Sequence, residues 1–369
     1  MDKLKKVIIS GYKSVSPKYP VEIEFGDITV LLGANGSGKS NIISFFKMLN
    51  YMMDGRFQLF VEKAGTGQVF LHNGSKCTTQ IDGKLEFEGD RGMNRYKFQL
   101  AFAIPDRLII TSEEIIWGDR NLQTLSLPSD YKESALIREQ GKDVDKTIQT
   151  VRVPLMRCKV YQFHDSASGS RIRLSSPVDS SDYLQSEGGN PASFLYTLKK
   201  NHPSAYDRIV RHIRQIMPQF KDFYLEPNES GYVMLKWIDI SLNDYILLPE
   251  QFSDGTIRFI ALATLLLQPP QRMPGVIIID EPELGLHPYA ISQLAEMIKD
   301  ASGHTQVIVA TQSPGLVDEF EANQITVIER DDEKECTTAH KLDREELKDW
   351  LENYSLSELW DKNVIGGRP

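Results

Sequence analysis

The chain contains 369 residues, of which 41% are hydrophobic and 25% are charged, so it has enough apolar residues to bury a large core. The formal net charge of −9 argues against a surface coated broadly with nucleic acid, although a single basic face is compatible with this charge. The longest apolar run, residues 260–267, is far shorter than the roughly 18 residues that a membrane-spanning helix needs. We therefore expect a globular protein of two or three lobes with no membrane partner.

The cysteines bear on the cellular compartment. Cys77, Cys158 and Cys336 are scattered singly along the chain, with neither the spacing of a zinc site nor that of a disulfide framework. Such usage is typical of proteins in a reducing cytosol, so we expect a cytoplasmic protein.

A phosphate-binding loop is the strongest motif in the chain. Residues 33–40 read Gly-Ala-Asn-Gly-Ser-Gly-Lys-Ser and match the pattern G-x-x-x-x-G-K-[ST]. The β-branched, apolar residues 28–32 predict a buried strand before the loop, and the residues after it predict a helix to about Asp54. Glycines let the backbone curl so that its N–H groups surround phosphate oxygens. Lys39 can reach the terminal phosphates, and the Ser40 hydroxyl can bind Mg²⁺.

The middle of the chain changes from strand patterns to helix patterns. Residues 65–110 alternate in short runs and predict an antiparallel sheet with turns at Asp82-Gly83 and Gly89-Asp90. Residues 191–220 have helical spacing and are interrupted by Pro203. No heptad pattern is sustained there, which excludes a long coiled-coil arm.

The segment Phe252-Ser253-Asp254-Gly255-Thr256 lies at the start of a helix predicted at residues 256–267. Ser253 or Asp254 can cap this helix, and Gly255 leaves room for a phosphate at its N-terminus. One interpretation is an ordinary helix cap, and the other is a second phosphate-binding element. Its place between the phosphate loop and the acidic strand described next favours the second.

Residues 276–281 read Val-Ile-Ile-Ile-Asp-Glu and predict a buried strand that ends in two carboxylates. Asp280 is suited to hold Mg²⁺ through water, and Glu281 is suited to polarise an attacking water. The alternative is a strand followed by a solvated acidic turn. Further patterns predict a helix at 288–300, strands at 306–310 and 325–328, and a capped helix that starts at Asp343.

The order of these motifs resembles that of ABC-type ATPases. In that family a signature motif at the start of a helix lies between the phosphate loop and the strand with the two acids, and Ser253 and Gly255 match this signature. The loop and the opening segment Gly11-Tyr12-Lys13-Ser14 resemble the RecF/SMC/Rad50 branch. Four further segments resemble the compact AAA_21 or OLD-like ATPase group, and they are residues 160–165, 281–288, 310–314 and 356–369.

The resemblance implies an α/β fold, an ABC-type ATPase head in three parts. The N-terminal lobe, residues 1–165, would hold the phosphate loop and a mixed or antiparallel sheet. A partly helical insert without a long coiled coil would occupy residues 166–245. The C-terminal lobe, residues 246–369, would hold a parallel sheet with the signature, the acidic strand and the C-terminal helix.

The resemblance also implies a role for each matching residue. Gln162 matches the loop that senses Mg²⁺ and the γ-phosphate, with His164 as the alternative. Gly285-Leu286-His287 matches the loop that crosses the dimer seam, although His287 alone is more often structural. Gln312 stands where transporter-type relatives have a histidine, and it cannot titrate, which puts fast hydrolysis in doubt. The expected residues are Lys39, Glu281 and Gln312 for catalysis, Ser40, Asp280 and Gln162 for the metal, and Gly33, Ala34, Asn35, Gly36, Ser37, Gly38, Lys39, Ser40, Asn41, Gln162, Ser253 and Gly255 for ATP.

The expected assembly is a head-to-tail homodimer with ATP and Mg²⁺ at its interface, acting in DNA repair, another DNA transaction or anti-phage defence. DNA is a candidate partner because of the basic residues Arg208, Arg211, Arg214 and Lys221. A solvated helix face explains the same residues. The alternative function is a nucleotide-gated scaffold that controls a partner effector protein, such as a nuclease, and hydrolyses ATP slowly.

Overall fold

The computed structural model describes residues 2–89, 92–118, 121–128, 132–138, 142–167, 169–241 and 245–368. The chain contains both helices and strands in a mixed α/β arrangement. In chain order they are β1 (Lys3–Ser10), β2 (Val21–Glu24), β3 (Ile28–Leu32), α1 (Lys39–Met53), α2 (Phe57–Lys63), β4 (Gln80–Gly89), β5 (Gly92–Ala103), β6 (Arg107–Trp117), β7 (Gln123–Ser126), α3 (Lys142–Met156), β8 (Cys158–Tyr161), β9 (Ser176–Pro177), α4 (Pro191–Asn201), α5 (Pro203–Ile216), β10 (Phe220–Tyr224), β11 (Tyr232–Val233), β12 (Lys236–Asp239), β13 (Ile246–Leu247), α6 (Asp254–Leu266), β14 (Val276–Asp280), α7 (Pro288–Ser302), β15 (Gln306–Thr311), α8 (Pro314–Val317), β16 (Ile325–Asp331), β17 (Cys336–Lys341), α9 (Lys348–Leu351) and α10 (Leu356–Asp361).

The chain divides into two units. The first comprises the described residues of 1–160, 274–278 and 321–369, and the second those of 161–273 and 279–320. The division into three lobes that the sequence suggests stays a prediction. None of the described helices is both long enough and apolar enough to span a bilayer.

The first unit contains an antiparallel sheet in the order β2-β1-β4-β5-β6-β7. Strands β4 and β5 and the start of β6 lie in residues 65–110, where the alternating sequence predicts such a sheet. The predicted turn at Asp82-Gly83 is wrong, because both residues lie inside β4, opposite Gln99 and Phe98. A Cβ on Gly83 would lie 2.3 Å from Cζ of Phe98, so this glycine makes room for an aromatic ring. The second predicted turn begins where β4 ends, at Gly89, but Asp90 lies outside the described residues.

The phosphate loop of the first unit is supported by β3, which pairs in parallel with β16. Every residue of β3 is buried, as its run of apolar residues predicts. β16 extends the predicted strand at 325–328 to Asp331 and pairs antiparallel with β17. No sequence pattern predicts β17, although this strand carries Thr337, which contacts the phosphate loop.

The first helices of the second unit are α4 and α5. The helical pattern over residues 191–220 forms α4 and α5, each of which starts with a proline, where the missing N–H has no helical partner to lose. The side chains of Tyr206, Ile209 and Ile213 on α5 are buried. The second unit also contains α6, α7 and β15, and all residues of β15 are buried.

The predicted helix from Asp343 is wrong in its extent, because α9 spans only Lys348–Leu351. The carboxylate of Asp343 accepts the N–H of Glu345, two residues on, in a local turn that competes with helix capping. Trp350, on α9, is 45% exposed.

Candidate functional site

The loop between β3 and α1 is curled as a phosphate-binding loop requires. Gly36 and Gly38 have φ angles of 80° and 111°, which side chains rarely tolerate. A Cβ on Gly38 would lie 2.1 Å from Oγ1 of Thr337, and a Cβ on Gly33 would lie 2.2 Å from the carbonyl oxygen of Ile328. Close contacts within the first unit therefore require glycine at positions 33 and 38. At position 38 the φ angle requires it as well.

Lys39 lies inside this curl. Its side chain is only 4% exposed, and its ammonium group donates to the carbonyl oxygens of Gly33, at 2.7 Å, and Ala34, at 2.9 Å. The hydroxyl oxygen of Ser37 is also buried, with no hydrogen-bond partner among the described residues. A buried cation and an unsatisfied hydroxyl in a glycine-rich curl fit the phosphate groups of a nucleotide.

Side chains distant in sequence hold the loop in place. Thr337 donates to the carbonyl oxygen of Ser37 at 2.9 Å, and its Oγ1 lies 2.7 Å from Oγ of Ser14. The amide of Asn41 donates to the same Ser14 oxygen at 2.7 Å. These contacts involve the opening segment that resembles the RecF/SMC/Rad50 branch, and they give Ser14 a structural role.

Asp280 ends β14 in the second unit and is 5% exposed. Its Oδ2 accepts a hydrogen bond from Nε2 of Gln162 at 2.7 Å, whereas Nε2 of His164 lies 2.9 Å from the backbone oxygen of Asp280. The other carboxylate oxygen, Oδ1, is buried and has no hydrogen-bond partner in the described part of the chain. An oriented carboxylate with one such oxygen fits a Mg²⁺ ligand, directly or through water.

Glu281 has a φ of 43°, in the left-handed region that a residue other than glycine seldom adopts. Its N–H donates to the carbonyl oxygen of Ala310 on β15 at 2.8 Å. Such a backbone conformation costs about 1–3 kcal/mol and is common at functional sites. The residue predicted to activate water is therefore held in a strained turn.

Glu283, two residues further on, is 8% exposed. Its Oε1 accepts the hydroxyl of Thr311 at 2.5 Å and the backbone N–H of Gln312 at 3.4 Å. Burial raises the pKa of this carboxyl above its ordinary value, and the hydrogen bond from Thr311 opposes that rise. Glu283 therefore connects the acidic turn, which comprises residues 281–285, to the segment that carries Gln312.

The predicted second phosphate-binding element begins α6. The Ser253 hydroxyl accepts the N–H of Thr256 at 3.1 Å, as expected of an N-cap residue. A Cβ on Gly255 would lie 2.3 Å from the carbonyl oxygen of Gly285, so the start of α6 lies directly against the acidic turn.

Two arginines of the second unit, which the sequence analysis missed, hold these segments together. Arg258 on α6 donates to three backbone oxygens, those of Phe163, His164 and Leu284, at 3.2, 2.7 and 2.9 Å. It thereby joins the helix to the segment with Gln162 and to the acidic turn.

The second arginine, Arg173, is 4% exposed, and it positions the residues that precede α6. It donates to Oδ1 of Asp254 at 2.9 Å and to the backbone oxygen of Phe252 at 3.2 Å, and it also contacts the backbone oxygen of Pro249. Arg258 could have been noticed in the sequence, because it lies on a predicted helix close after Gly255. No comparable signal marks Arg173.

Most of the candidate DNA-binding residues have contacts within the protein. Arg208 pairs with Asp300 at 3.1 Å and donates to the carbonyl oxygen of Leu267. Arg214 donates to the backbone oxygen of Lys221. Arg211 is exposed. These contacts favour the alternative of a solvated helix face over a DNA-binding face.

His287 serves as a helix cap in the second unit. Its Nδ1 accepts the N–H of Tyr289 at 3.3 Å, at the start of α7. This contact agrees with the structural interpretation of the histidine.

A protein-family model matches residues 28–318, and its description is AAA_21, "AAA domain, putative AbiEii toxin, Type IV TA system". A search of curated proteins gave no match. Among solved structures, an SMC head bound to the C-winged helix domain of ScpA has a TM-score of 0.63 at 16% identity, and the match covers 93% of this chain and 99% of that one.

Two further head domains are similar. The SMC head from Thermotoga maritima has a TM-score of 0.51 at 15% identity, with 92% of this chain and 99% of that one covered. The Smc head with an extended coiled coil, bound to the C-terminal domain of ScpA derived from Pyrococcus furiosus, has a TM-score of 0.60 at 16% identity, with 95% and 99% covered. This likeness shows that the chain has the mixed α/β fold of an SMC head domain.

Proposed function

Because this chain belongs to the AAA_21 family of P-loop ATPases, we propose that it binds ATP together with Mg²⁺ and hydrolyses it. The observation that carries the proposal is the curled loop at residues 33–40, which encloses the buried ammonium group of Lys39. The N–H groups of the loop and this cation suit the charge and the geometry of a nucleoside triphosphate.

We assign the chemical roles as follows. Lys39 would neutralise the terminal phosphates, and Ser40 and Asp280 would be the Mg²⁺ ligands; the ion would supply further positive charge at the phosphate oxygens. Glu281 polarises the attacking water. Gln162 is the better candidate for the metal-sensing residue, because its side chain contacts the carboxylate of Asp280, whereas His164 contacts only the backbone.

We further propose that ATP closes a head-to-tail homodimer. The exposed Ser253 side chain at the start of α6 would face the γ-phosphate of the nucleotide on the second copy. The support is the match of Ser253 and Gly255 to the signature of ABC-type ATPases, together with the exposed position of Ser253 at the N-terminus of α6. Hydrolysis would then release the dimer.

Two substitutions test the ATPase. Lys39→Ala removes the cation from the loop, so we expect loss of ATP binding in calorimetry. Glu281→Gln keeps the size of the side chain but not its basicity, so we expect ATP binding with strongly reduced phosphate release. Lys76→Ala, at an exposed lysine outside the loop, is the control for a lost charge. Unchanged ATP binding by Lys39→Ala would exclude the loop as the nucleotide site.

A function as a nucleotide-gated regulator of a partner effector is the second candidate. Gln312 favours it, because an amide cannot take up a proton during catalysis and slow turnover suits a timer. The acidic net charge and the internal contacts of Arg208 and Arg214 point the same way. A role in DNA repair or anti-phage defence with direct DNA binding predicts instead an ATPase rate that DNA stimulates and that salt strongly suppresses.

A further inference from the structure

The acidic turn and the end of β15 are joined by two hydrogen bonds in the second unit. One runs from the N–H of Glu281 to the carbonyl oxygen of Ala310 at 2.8 Å. The other runs from the hydroxyl of Thr311 to Oε1 of Glu283 at 2.5 Å. Two residues are predicted to act in the chemical step. Glu281 on the turn donates the first of these bonds, and Gln312 directly follows Thr311, which donates the second.

The carboxylate of Glu283 is the element that reaches both segments. It belongs to the turn, and its Oε1 also lies 3.4 Å from the N–H of Gln312. Thr311 is fully buried, and its own Oγ1 accepts the N–H of Ser313 at 2.9 Å, which orders the backbone on the far side of Gln312. The side chain of Glu283 thus anchors the backbone before and at Gln312.

From this geometry we propose that Glu283 is a positioning residue for ATP hydrolysis. It holds the strained backbone of Glu281, with its φ of 43°, and the segment with Gln312 at a constant separation. It acts through Thr311 and does not contact the nucleotide. The proposal rests on the ATPase function proposed above, and it adds a residue that the resemblance to ABC-type ATPases does not assign.

The hydrogen bond and the charge of Glu283 can be separated by substitution. Glu283→Ala removes the acceptor of the hydrogen bond from Thr311. Glu283→Gln keeps an oxygen that accepts this hydrogen bond. Its amide nitrogen takes the place of Oε2, which has no hydrogen-bond partner among the described residues. Thr311→Val removes the donor, and Thr311→Ser keeps it. Glu229→Ala, at an exposed carboxylate of the same unit, is the matched control.

We expect Glu283→Ala and Thr311→Val each to lower kcat about tenfold to a hundredfold, because small displacements of reacting groups have effects of this size. The dissociation constant for ATP should change little, since both side chains are buried and hydrogen-bonded to each other. Glu283→Gln and Thr311→Ser should recover most of the rate. The double variant Glu283→Ala with Thr311→Val should be no slower than the slower single variant, because both remove one contact.

The outcomes separate this proposal from the ATPase function. If the wild-type chain does not hydrolyse ATP, the proposed function fails. If the wild type is active and Glu281→Gln is not, but Thr311→Val keeps the wild-type kcat, the positioning role of Glu283 is overturned alone. Thr311→Val also decides the matter if Glu283→Ala does not fold. A loss of rate in Glu283→Gln as large as that in Glu283→Ala would contradict the hydrogen-bond argument.

Discussion

Among single residues, Glu113 in the first unit is a buried carboxyl that is surrounded by hydrogen-bond donors. It is 1% exposed, and it accepts hydrogen bonds from the hydroxyls of Tyr96 and Ser134, both at 2.5 Å, and from the N–H of Ala135 at 2.7 Å. Burial raises its pKa above the ordinary value of 4.5, although these hydrogen bonds oppose the rise. The carboxyl therefore binds its proton more tightly in the folded chain than in the unfolded one.

This shift determines the sign of a pH effect. Between pH 4.5 and the raised pKa, the folded state binds more protons, so the free energy of unfolding falls as the pH rises through this window. Glu113→Gln lacks that proton equilibrium. We expect the free energy of unfolding of the variant, relative to wild type, to increase across the window and then to stay level. Urea unfolding at several pH values measures the difference, and a constant difference would contradict the raised pKa.

The residues that the sequence could and could not reveal differ in where their contacts lie. Lys39 and Ser253 act on backbone within a few residues, so local motifs are enough to find them. Arg173 instead contacts backbone and side-chain atoms some 80 positions away, and Thr337 contacts the phosphate loop 300 positions earlier. Nothing in the local sequence of either residue indicates those contacts, which only the tertiary fold creates.

At the scale of elements, the close approach of α6 to the acidic turn allows a sharp test. In Gly255→Ala the new Cβ would lie 2.3 Å from the carbonyl oxygen of Gly285, so one of the two segments must shift. We expect a loss of about 1–3 kcal/mol in the free energy of unfolding and a reduced ATPase rate, as for other overpacked sites.

The control is Gly303→Ala, at the end of α7. Gly303 has a φ of −67° and a nearest contact of 3.4 Å, so an alanine fits there. Thermal unfolding and phosphate release measure both variants. Equal effects of the two substitutions would show that the contact between Gly255 and Gly285 does not constrain the site.

Elements were predictable where a local pattern and the tertiary environment agree. The strand β3, the glycine-rich loop and α1 follow one another with unambiguous patterns, and the structure confirms all three. Asp82-Gly83 is a turn signal by composition, yet it lies inside β4, because the ring of Phe98 occupies the space beside Gly83. β17 is short and polar, and it becomes a strand only because β16 offers it a pairing edge.

At the scale of the whole molecule, the question is whether one chain forms a complete ATPase site. The chain has one phosphate loop, and Ser253 and Gly255, at the start of α6, match the signature of ABC-type ATPases. In the head-to-tail dimer that we propose, each nucleotide would use the loop of one copy and the signature of the other. A closed pair with twofold symmetry then contains two equivalent sites.

Mixing two inactive variants separates this arrangement from a monomeric ATPase. Lys39→Ala lacks a working phosphate loop, and Ser253→Arg places a bulky cation where the signature hydroxyl lies. In a mixed dimer one site combines both defects, whereas the other combines the intact loop of one copy with the intact signature of the other. We expect an equimolar mixture to recover about a quarter of the wild-type phosphate release, since half of the dimers are mixed and each has one working site. An inactive mixture, measured where wild-type dimers form with ATP, would mean that each chain uses its own signature and that the dimer is not the unit of hydrolysis.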